Sequence, residues 1–291
     1  MGERACRQVV DIMRICFIGA GNVATNMARA LRSAGHDIVQ VYSRTMASAT
    51  ALAGIVGSKA VADINAVDDT ADIYIISVKD DVIASVAASL CPRISRSVVV
   101  HTAGSVPIDV LSRVAKRCGV IYPMQTFSKQ RAVDFSEIPC FIEANDDDTL
   151  AVIERLARSI SRNVCRMTGS DRRRLHLAAV YACNFANHCY EMAAEILASA
   201  GINFNVLLPL IDETARKVHS LSPLKAQTGP AVRDDKKVME AHLRLLNDMS
   251  ADENDAVRQG IMSDIYRLMS QSIHQKAQAA DAEHTSENNI S

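Results

Sequence analysis

RICFIGAGNVATNMARALRSAG, at residues 14–35, has the pattern of a strand, a tight turn and a helix in direct succession. Residues 14–18 are an apolar run of strand length, and residues 19–24 follow with GxGxxA spacing. Val23, Met27 and Leu31 recur at helical spacing, and Gly35 is the residue type that best tolerates the left-handed conformation at a helix end. This succession predicts a turn that binds a dinucleotide, with a merely tight turn as the alternative.

Glycine and alanine are expected in this turn because its predicted contacts are made by the backbone. Gly19 would permit the sharp bend, Gly21 would let a diphosphate approach the main chain, and Ala24 would allow close packing of helix on strand. The phosphates would lie at the helix N-terminus, where the free N–H groups of Asn22 and Val23 favour an anion.

The second predicted strand, residues 36–42, ends in Ser43-Arg44-Thr45. An NAD site usually has Asp or Glu at this position, which accepts a hydrogen bond from the ribose 2′-hydroxyl. A guanidinium and two hydroxyls would instead suit a 2′-phosphate. The sequence therefore predicts NADP as the cofactor, with a solvated Arg44 as the alternative.

Strand and helix patterns alternate along the first half of the chain. Residues 73–78 and 97–100 are apolar on both faces, which is typical of central parallel strands covered by helices on each side. Helices are predicted at 82–90 and 107–118, and further strands at 120–122, 138–143 and 163–167. The pattern predicts an α/β fold with a doubly wound, mainly parallel Rossmann sheet.

From Asp171 onward the apolar period becomes helical, at residues 175–200, 205–221, 238–249 and 254–274. An all-helical second domain is therefore expected, with the boundary near residue 168. The predicted organisation is an N-terminal extension at 1–13, a Rossmann-like NADP-binding domain at 14–168, a helical substrate-binding and dimerisation domain at 169–275, and a flexible tail at 276–291.

The composition argues against several classes of protein. The 291 residues have a net charge of −1 with acids and bases interspersed, which is unlike a general nucleic-acid binder. No apolar run has membrane-spanning length, and the first 13 residues lack an apolar signal core. Eight scattered cysteines without a CxxC pair predict buried, reduced thiols and no metal site. We therefore expect a cytoplasmic protein.

Ligands of open parallel sheets bind at the carboxyl ends of the strands. Val78, Lys79 and Thr102 follow two central strands, and we predict that they contact the cofactor; a solvated loop lysine is the alternative for Lys79. His101 closes a strand that should face the nicotinamide, and imidazole exchanges protons near neutral pH. His101 is therefore a candidate catalytic residue, unless it is only hydrogen-bonded to nearby backbone.

The helical half has a polar stripe in otherwise apolar surroundings. Asn184 and His188 lie four residues apart and share a helix face, which Asn187 borders. His176 lies eight residues before Asn184, on nearly the same face. We predict His176, Asn184 and Asn187 as catalytic residues, with a hydrogen-bonded seam between the domains as the alternative. Arg233 could bind an anionic substrate, or pair with the two acids that follow it.

Seven motifs together carry a resemblance over nearly the whole chain. They are GAGNVA (19–24), YSRT (42–45), ISVKDD (76–81), HTAGS (101–105), YPMQTF (122–127), NFANH (184–188) and GPAVRDD (229–235). With them the chain resembles a bacterial family of predicted NADP-dependent oxidoreductases, in which a Rossmann-like domain precedes a helical domain of unknown function. It is more distantly similar to pyrroline-5-carboxylate reductase, ketopantoate reductase and the 6-phosphogluconate and 3-hydroxyisobutyrate dehydrogenases.

Two departures limit what this resemblance implies. The hydroxyacid dehydrogenases have a catalytic lysine one turn before a helix asparagine, and if Asn184 is that asparagine, Val180 stands in the lysine's place. Their acid–base mechanism therefore does not transfer. The family's usual HPLQTF appears here as YPMQTF, so any role of that histidine would fall to Tyr122 or be lost.

We hypothesise an NADPH-dependent reductase of a small carbonyl or imine compound, acting in a cleft between the domains. His101 or His176 would supply the proton, and Asn184 and Asn187 would position the substrate. A sensor that binds NADP without catalysis is the alternative, and hydride exchange with coenzyme F420 would rest on fold resemblance alone. Relatives pair through the helical half, whose long apolar helices would otherwise be uncovered, so a homodimer is expected.

Overall fold

The computed structural model describes residues 11–131, 133–249 and 253–288. Residues 1–10, which make up most of the predicted N-terminal extension, lie outside this range. Eight strands form one sheet. They are β1 (Arg14–Ile18), β2 (Asp37–Tyr42), β3 (Lys59–Val61), β4 (Ile73–Ile76), β5 (Val98–His101), β6 (Cys118–Pro123), β7 (Cys140–Ala144) and β8 (Val164–Arg166).

The strand order across the sheet is β3-β2-β1-β4-β5-β6-β7-β8. All neighbouring strands are parallel except β6 and β7. The chain runs outward from β1 to β3 and then returns to place β4 on the other side of β1, so the strand order reverses between β1 and β4. The prediction of a doubly wound, mainly parallel Rossmann sheet followed by a helical region is confirmed.

Eleven helices accompany the sheet in the described residues. Those that belong with the strands are α1 (Asn22–Ser33), α2 (Met46–Val56), α3 (Ile83–Leu90), α4 (Asp109–Ser112), α5 (Asp147–Arg158) and α6 (Gly169–Ala179). Those that follow are α7 (Ala186–Ser199), α8 (Leu208–Lys217), α9 (Pro223–Ala226), α10 (Lys236–Asp248) and α11 (Glu253–Asn288).

The apolar residues of the central strands form two cores, one on each face of the sheet. In β4, Ile73 and Ile75 belong to one core and Tyr74 and Ile76 to the other, because successive side chains of a strand point to opposite faces. Burying an isoleucine side chain contributes roughly 1.5–3 kcal/mol. Both faces of β4 therefore pack in a core, which explains why its sequence is a continuous apolar run.

The predicted helix at residues 175–200 is interrupted. α6 ends at Ala179, a π-helical segment occupies Val180–Phe185, and α7 begins at Ala186. A π turn contains an extra residue, so the 3.6-residue period does not continue across it. The expectation that His176 and Asn184 share a helix face assumed an unbroken period, and the π-helical segment removes that basis.

The chain forms two compact units, Met1–Cys183 and Asn184–Ser291. The division follows α6, whereas the sequence predicts a boundary near residue 168. In the second unit α10 packs on α11, and His242 Nδ1 lies 2.9 Å from the hydroxyl of Tyr266. The described part of the predicted flexible tail is helical, since α11 continues to Asn288. This part is rich in alanine, which favours helix strongly.

Three further predictions concern membrane-spanning helices, metal sites and the cysteines, and the structure can be compared with them only over its described residues. Within those ranges no helix is long and apolar enough to cross a membrane. No group of three side chains suited to a metal ion occurs in the same ranges. Cys16, Cys91, Cys118 and Cys140 are buried thiols, and burial raises the pKa of Cys16 to about 12 and that of Cys91 to about 11. Cys165 and Cys183 are exposed, so the prediction of buried thiols was wrong for these two.

Candidate functional site

An open cleft of about 870 Å³ lies in the first unit, at the carboxyl ends of the parallel strands. The glycine turn after β1 and the segments that follow β2, β4, β5 and β6 all contribute to its wall. The cleft therefore lies where the strand order reverses, which is the usual ligand position in this class of sheet. The predicted site residues that line it are Gly19, Gly21, Asn22, Val23, Ser43, Arg44, Val78, Lys79, Thr102 and His176.

Gly19 lies close to the backbone at the ends of two strands, β2 and β4. Its φ of +118° lies in the region that favours glycine, and its N–H donates to the carbonyl of Tyr42 over 2.8 Å. A Cβ atom at this position would lie 2.1 Å from the carbonyl oxygen of Ser77, just after β4. Only glycine therefore fits this bend.

Gly21 has a different reason to be glycine. Its φ of −80° suits any residue, and a Cβ atom there would meet no atom within 4 Å. A side chain would instead project into open space at the start of α1. That space is where a diphosphate would have to approach the backbone.

The N-terminus of α1 has features that suit an anion. Gly21 offers no side chain to cap the helix, and the first turn contains no acidic residue. The side chain of Asn22 is directed elsewhere, because its Nδ2 donates to the carbonyl of Phe127 over 3.0 Å. Backbone N–H groups and the positive end of the helix dipole are left to bind an anion. These residues fit the diphosphate of a dinucleotide.

The segment after β2 offers a cation and hydroxyls at the edge of the cleft. Ser43, Arg44 and Ser48 line the wall, and Arg44 is exposed. Thr45 instead caps α2, since its Oγ1 accepts from the N–H of Ser48 over 3.4 Å. Of the three predicted residues, Ser43 and Arg44 are therefore the ones placed to reach a 2′-phosphate.

The segments after β4 and β5 are joined by side-chain hydrogen bonds. Thr102 Oγ1 donates to Ser77 Oγ over 3.1 Å, and the Ser105 hydroxyl donates to the carboxylate of Asp80. Lys79 is an exposed residue of the same wall. The two loops therefore form one continuous surface between the glycine turn and the far end of the cleft.

His101 does not lie where direct catalysis would need it. The side chain is 0% exposed and is absent from the cleft wall, and its Nδ1 accepts from the N–H of Ala103 over 3.2 Å. Burial, with the Arg172 guanidinium as a second cause, lowers the pKa of His101 to about 3. A neutral, buried imidazole is a poor proton donor near neutral pH. This geometry agrees with the alternative in which His101 bonds only to nearby backbone.

His176 and Tyr122 form a hydrogen-bonded pair in the cleft wall. The Tyr122 hydroxyl lies 3.1 Å from His176 Nδ1, and the two rings meet edge to face with centroids 5.9 Å apart. Burial raises the pKa of Tyr122, so the hydroxyl keeps its proton and can donate to Nδ1. The pair joins β6 to α6, and both residues line the cleft.

The pair depends on the absence of a side chain at Gly104. A Cβ atom there would lie 2.7 Å from His176 Nδ1 and 2.9 Å from Tyr122 Cζ. His176 was predicted from the sequence as a site residue, whereas Tyr122 was not. The substitution of tyrosine for histidine in the YPMQTF motif was the signal that could have identified it.

The remaining predicted residues belong to the second unit. Asn184 and Asn187 are exposed, and Asn184 lies in the π-helical segment. His188 is also exposed, and its Nδ1 lies 3.0 Å from a carboxylate oxygen of Glu191. Arg233 was predicted to bind an anionic substrate or to pair with the two acids that follow it. These acids have other partners, since Asp234 pairs with Lys236 and Asp235 caps α10.

The fold and the cleft define a protein of the Rossmann dinucleotide-binding class. Residues 14–104 match the family model for the coenzyme F420-dependent NADP oxidoreductases, and residues 138–273 match a domain of unknown function, DUF2520. A predicted NADP oxidoreductase from Bacteroides fragilis is 46% identical, with a TM-score of 0.85 over 91% of this chain and 99% of that chain. The chain belongs to this family of predicted NADP oxidoreductases, in agreement with the cofactor that the sequence predicts.

More distant structures share the fold. An imine reductase from Myxococcus stipitatus in complex with NADP+ is 13% identical, with a TM-score of 0.63 over 90% of this chain and 96% of that chain. A pyrroline-5-carboxylate reductase from Coxiella burnetii is 17% identical, with a TM-score of 0.55 over 92% of this chain and 98% of that chain. No curated protein matches the sequence significantly.

Gly21→Ala tests the glycine turn without disturbing the fold. The added methyl group meets no protein atom, so we expect the free energy of unfolding to change by less than about 1 kcal/mol. The dissociation constant of NADPH, measured by calorimetry, should rise at least about tenfold because the methyl group occupies the space of the diphosphate. Gly54→Ala, in α2 and also free of contacts within 4 Å, is the matched control. Unchanged affinity in Gly21→Ala would show that the diphosphate binds elsewhere.

His101→Asn tests the buried imidazole through the pH dependence of stability. The pKa of His101 is lowered from 6.5 to about 3 in the folded protein, so below pH 6.5 the unfolded chain takes up a proton that the folded protein does not. Stability should therefore fall as the pH falls from 6.5 toward 3. Asparagine keeps an acceptor near the Ala103 N–H but does not titrate.

Urea unfolding at pH 6.5 and pH 5 measures the effect. Between these values the wild type should lose about 1.5 kcal/mol more than His101→Asn. His219→Asn, at an exposed histidine, is the control and should lose as much unfolding free energy as the wild type. Equal losses of unfolding free energy in the wild type and His101→Asn would mean that His101 is not held neutral.

Proposed function

We propose that the protein is an NADPH-dependent reductase of a small carbonyl or imine compound, in which the Tyr122–His176 pair supplies the proton. One observation carries the proposal: this pair lies in the wall of the same cleft as the glycine turn. A hydrogen-bonded donor is what the reaction needs beside the cofactor. The expected cytoplasmic location is kept in the proposal, on the basis of the scattered cysteines, which are free thiols wherever the structure describes them.

Each part of the cleft has a separate task in this proposal. The backbone at Gly21, Asn22 and Val23 binds the diphosphate, and Ser43 and Arg44 bind the 2′-phosphate. NADPH, when bound, supplies a hydride to the carbon of the C=O or C=N bond. A proton reaches the oxygen or nitrogen, so that an alcohol or amine and NADP+ are formed.

The proton comes from the Tyr122–His176 pair. His176 is half-buried and faces Tyr122, so the imidazole can give the proton of its other nitrogen to the substrate while the Tyr122 hydroxyl passes a proton to Nδ1. Because the pKa of Tyr122 is raised, the phenolate then takes a proton back from water in the open cleft. From the sequence, His101 or His176 was predicted to supply the proton, and the pair takes this role in the proposal. Asn184 and Asn187 stay as proposed substrate-positioning residues.

Tyr122→Phe and His176→Gln test the proton donor. NADPH oxidation is first screened with keto acids, cyclic imines, aldehydes and the deazaflavin coenzyme F420. With any substrate found, both variants should lower kcat by about 10²–10⁴-fold and change the NADPH dissociation constant less than about twofold. Tyr266→Phe removes a hydroxyl from a second Tyr–His pair, outside the cleft wall, and is the matched control. Unchanged turnover in both cleft variants would eliminate the pair.

A non-catalytic NADP sensor is the second candidate function. If Asn184 corresponds to the helix asparagine of the hydroxyacid dehydrogenases, Val180 stands in the place of their catalytic lysine, and the residue that those enzymes use is missing. The substrate screen separates the two functions. Tight NADPH binding without turnover of any compound would favour the sensor, and rapid reduction of the deazaflavin alone would favour hydride exchange between cofactors.

We also propose a homodimer formed through the second unit. α7 and α8 have no buried residue, and large apolar side chains on several helices are exposed. Among the described residues of the second unit, the most exposed of these side chains are Val206, Leu210, Leu245, Val257 and Leu268. Apolar exposure of this extent is typical of a surface covered by another protein, and a second copy is the occupant that most soluble oligomers use.

Light scattering measures the assembly directly. The expected mass is twice the 31.6 kDa of one chain. Leu210→Glu should weaken the dimer because it introduces a charge into the covered surface, whereas Glu213→Gln, on the same helix, should not. A monomer at micromolar concentration of the wild type would contradict the proposal.

A further inference from the structure

An ion pair with a buried arginine and a partly buried glutamate lies beside the Tyr122–His176 pair. The side chain of Arg172 is 1% exposed, and its NH1 group pairs with the carboxylate of Glu143. Its NH2 group donates to the carbonyl of Val106 over 2.7 Å. The other carboxylate oxygen of Glu143 accepts from the N–H of Gly169 over 3.1 Å. Arg172 and Glu143 thereby connect α6, β7 and the loop after β5.

The same region carries the parts of the proton-donating pair. Arg172 and His176 are four residues apart on α6 and share its face. Glu143 is paired with Val120 of β6, two residues before Tyr122, so the carboxylate and the phenol point to the same face of the sheet. Gly104, between the two rings, lies in the loop that Arg172 binds through Val106.

Stability alone does not explain a buried ion pair well. Replacing a buried ion pair by apolar residues of similar size is often neutral or stabilising, because buried charges lose their hydration, as that of Arg172 does here. Arg172 is also incompletely satisfied, since its Nε has no hydrogen-bond partner among the described residues. The position of the pair, one helical turn from His176, supplies the missing reason.

We propose that the Arg172–Glu143 ion pair positions His176 against Tyr122 and sets the electrostatic field at the Tyr122 hydroxyl. Arg172 and Glu143 are positioning residues and do not contact the substrate. The role as a support of catalysis rests on the proposed function above, whereas the effect on Tyr122 is measurable without substrate.

Charged and titratable groups face Tyr122 from several elements. Burial raises the pKa of Tyr122 most, the Arg172 guanidinium acts against this, and Asp80 and Cys183 raise it further. His176 is the direct hydrogen-bond partner.

Two further groups determine the charge balance around this site. His101, on β5, is neutral because its pKa is lowered to about 3. Glu143, on β7, neutralises Arg172. Removing the charge of Glu143 should therefore lower the pKa of Tyr122, and removing Arg172 should raise it.

The experiment is an alkaline NMR titration of the protein with 13C at the tyrosine ring Cζ. The resonance of Tyr122 is identified by its absence in Tyr122→Phe. Glu143→Gln should move the midpoint of Tyr122 to lower pH and Arg172→Met to higher pH, each by roughly half to one unit. The double variant should lie close to the wild type because it has neither charge. A purely structural role of the ion pair would not give opposite shifts.

Controls distinguish charge from misfolding. Arg174→Met removes an exposed arginine of α6, paired with Asp171, and should leave the midpoint unchanged. Arg172→Lys keeps the charge and should keep the midpoint, but it loses the two-point contact and should lower kcat in the turnover assay. If Glu143→Gln does not fold, as circular dichroism would show, Arg172→Met and Arg172→Lys decide the question.

Two results would overturn the inference. One is a shift of Glu143→Gln and Arg172→Met in the same direction or by less than about 0.2 units; the other is a shift of Arg172→Lys as large as that of Arg172→Met. Neither result would contradict the proposed reductase activity, because NADPH oxidation tests that activity separately. Conversely, opposite shifts with no turnover would keep the electrostatic role and remove its use in catalysis.

Discussion

The contact between the backbone of Gly19 and the carbonyl of Ser77 is the constraint on which the other features of the cleft depend. The missing side chain lets the end of β1 lie directly against the end of β4, at the point where the strand order reverses. No side chain fits between them, so the turn that follows is placed by main-chain contact alone. Gly21 and the N-terminus of α1 are then presented to the cleft. The positions of the cleft walls at the ends of β5 and β6 then follow from the order of the strands in the sheet.

The sequence was sufficient for those parts that depend on neighbouring residues. The glycine turn, the two-sided apolar strand at residues 73–78 and the change to a helical period after Asp171 are local patterns, and each corresponds to an observed element. β3 was missed because one of its three residues is exposed, the other two are only partly buried, and the segment has no apolar period. The π-helical segment was missed because a single inserted residue does not alter the composition of a helix.

The candidate site was less accessible to sequence reasoning because it depends on contacts between distant residues. Tyr122 and His176 are 54 residues apart, and no local pattern indicates that they meet. His101 was attractive because it ends a central strand. Which way its side chain points is decided by packing in three dimensions, and here it points into the protein interior. The Arg172–Glu143 pair, 29 residues apart in the sequence, was equally invisible.

The open space at Gly21 has an evolutionary consequence. At Gly19 the fold itself rejects any larger residue, so selection for folding would preserve that glycine whether or not a ligand were used. Gly21 has no such protection, because the protein folds around it with room to spare. A lineage that abandoned its dinucleotide would be free to lose this glycine first. Its identity across descendants of this chain would therefore report whether they still bind the nucleotide.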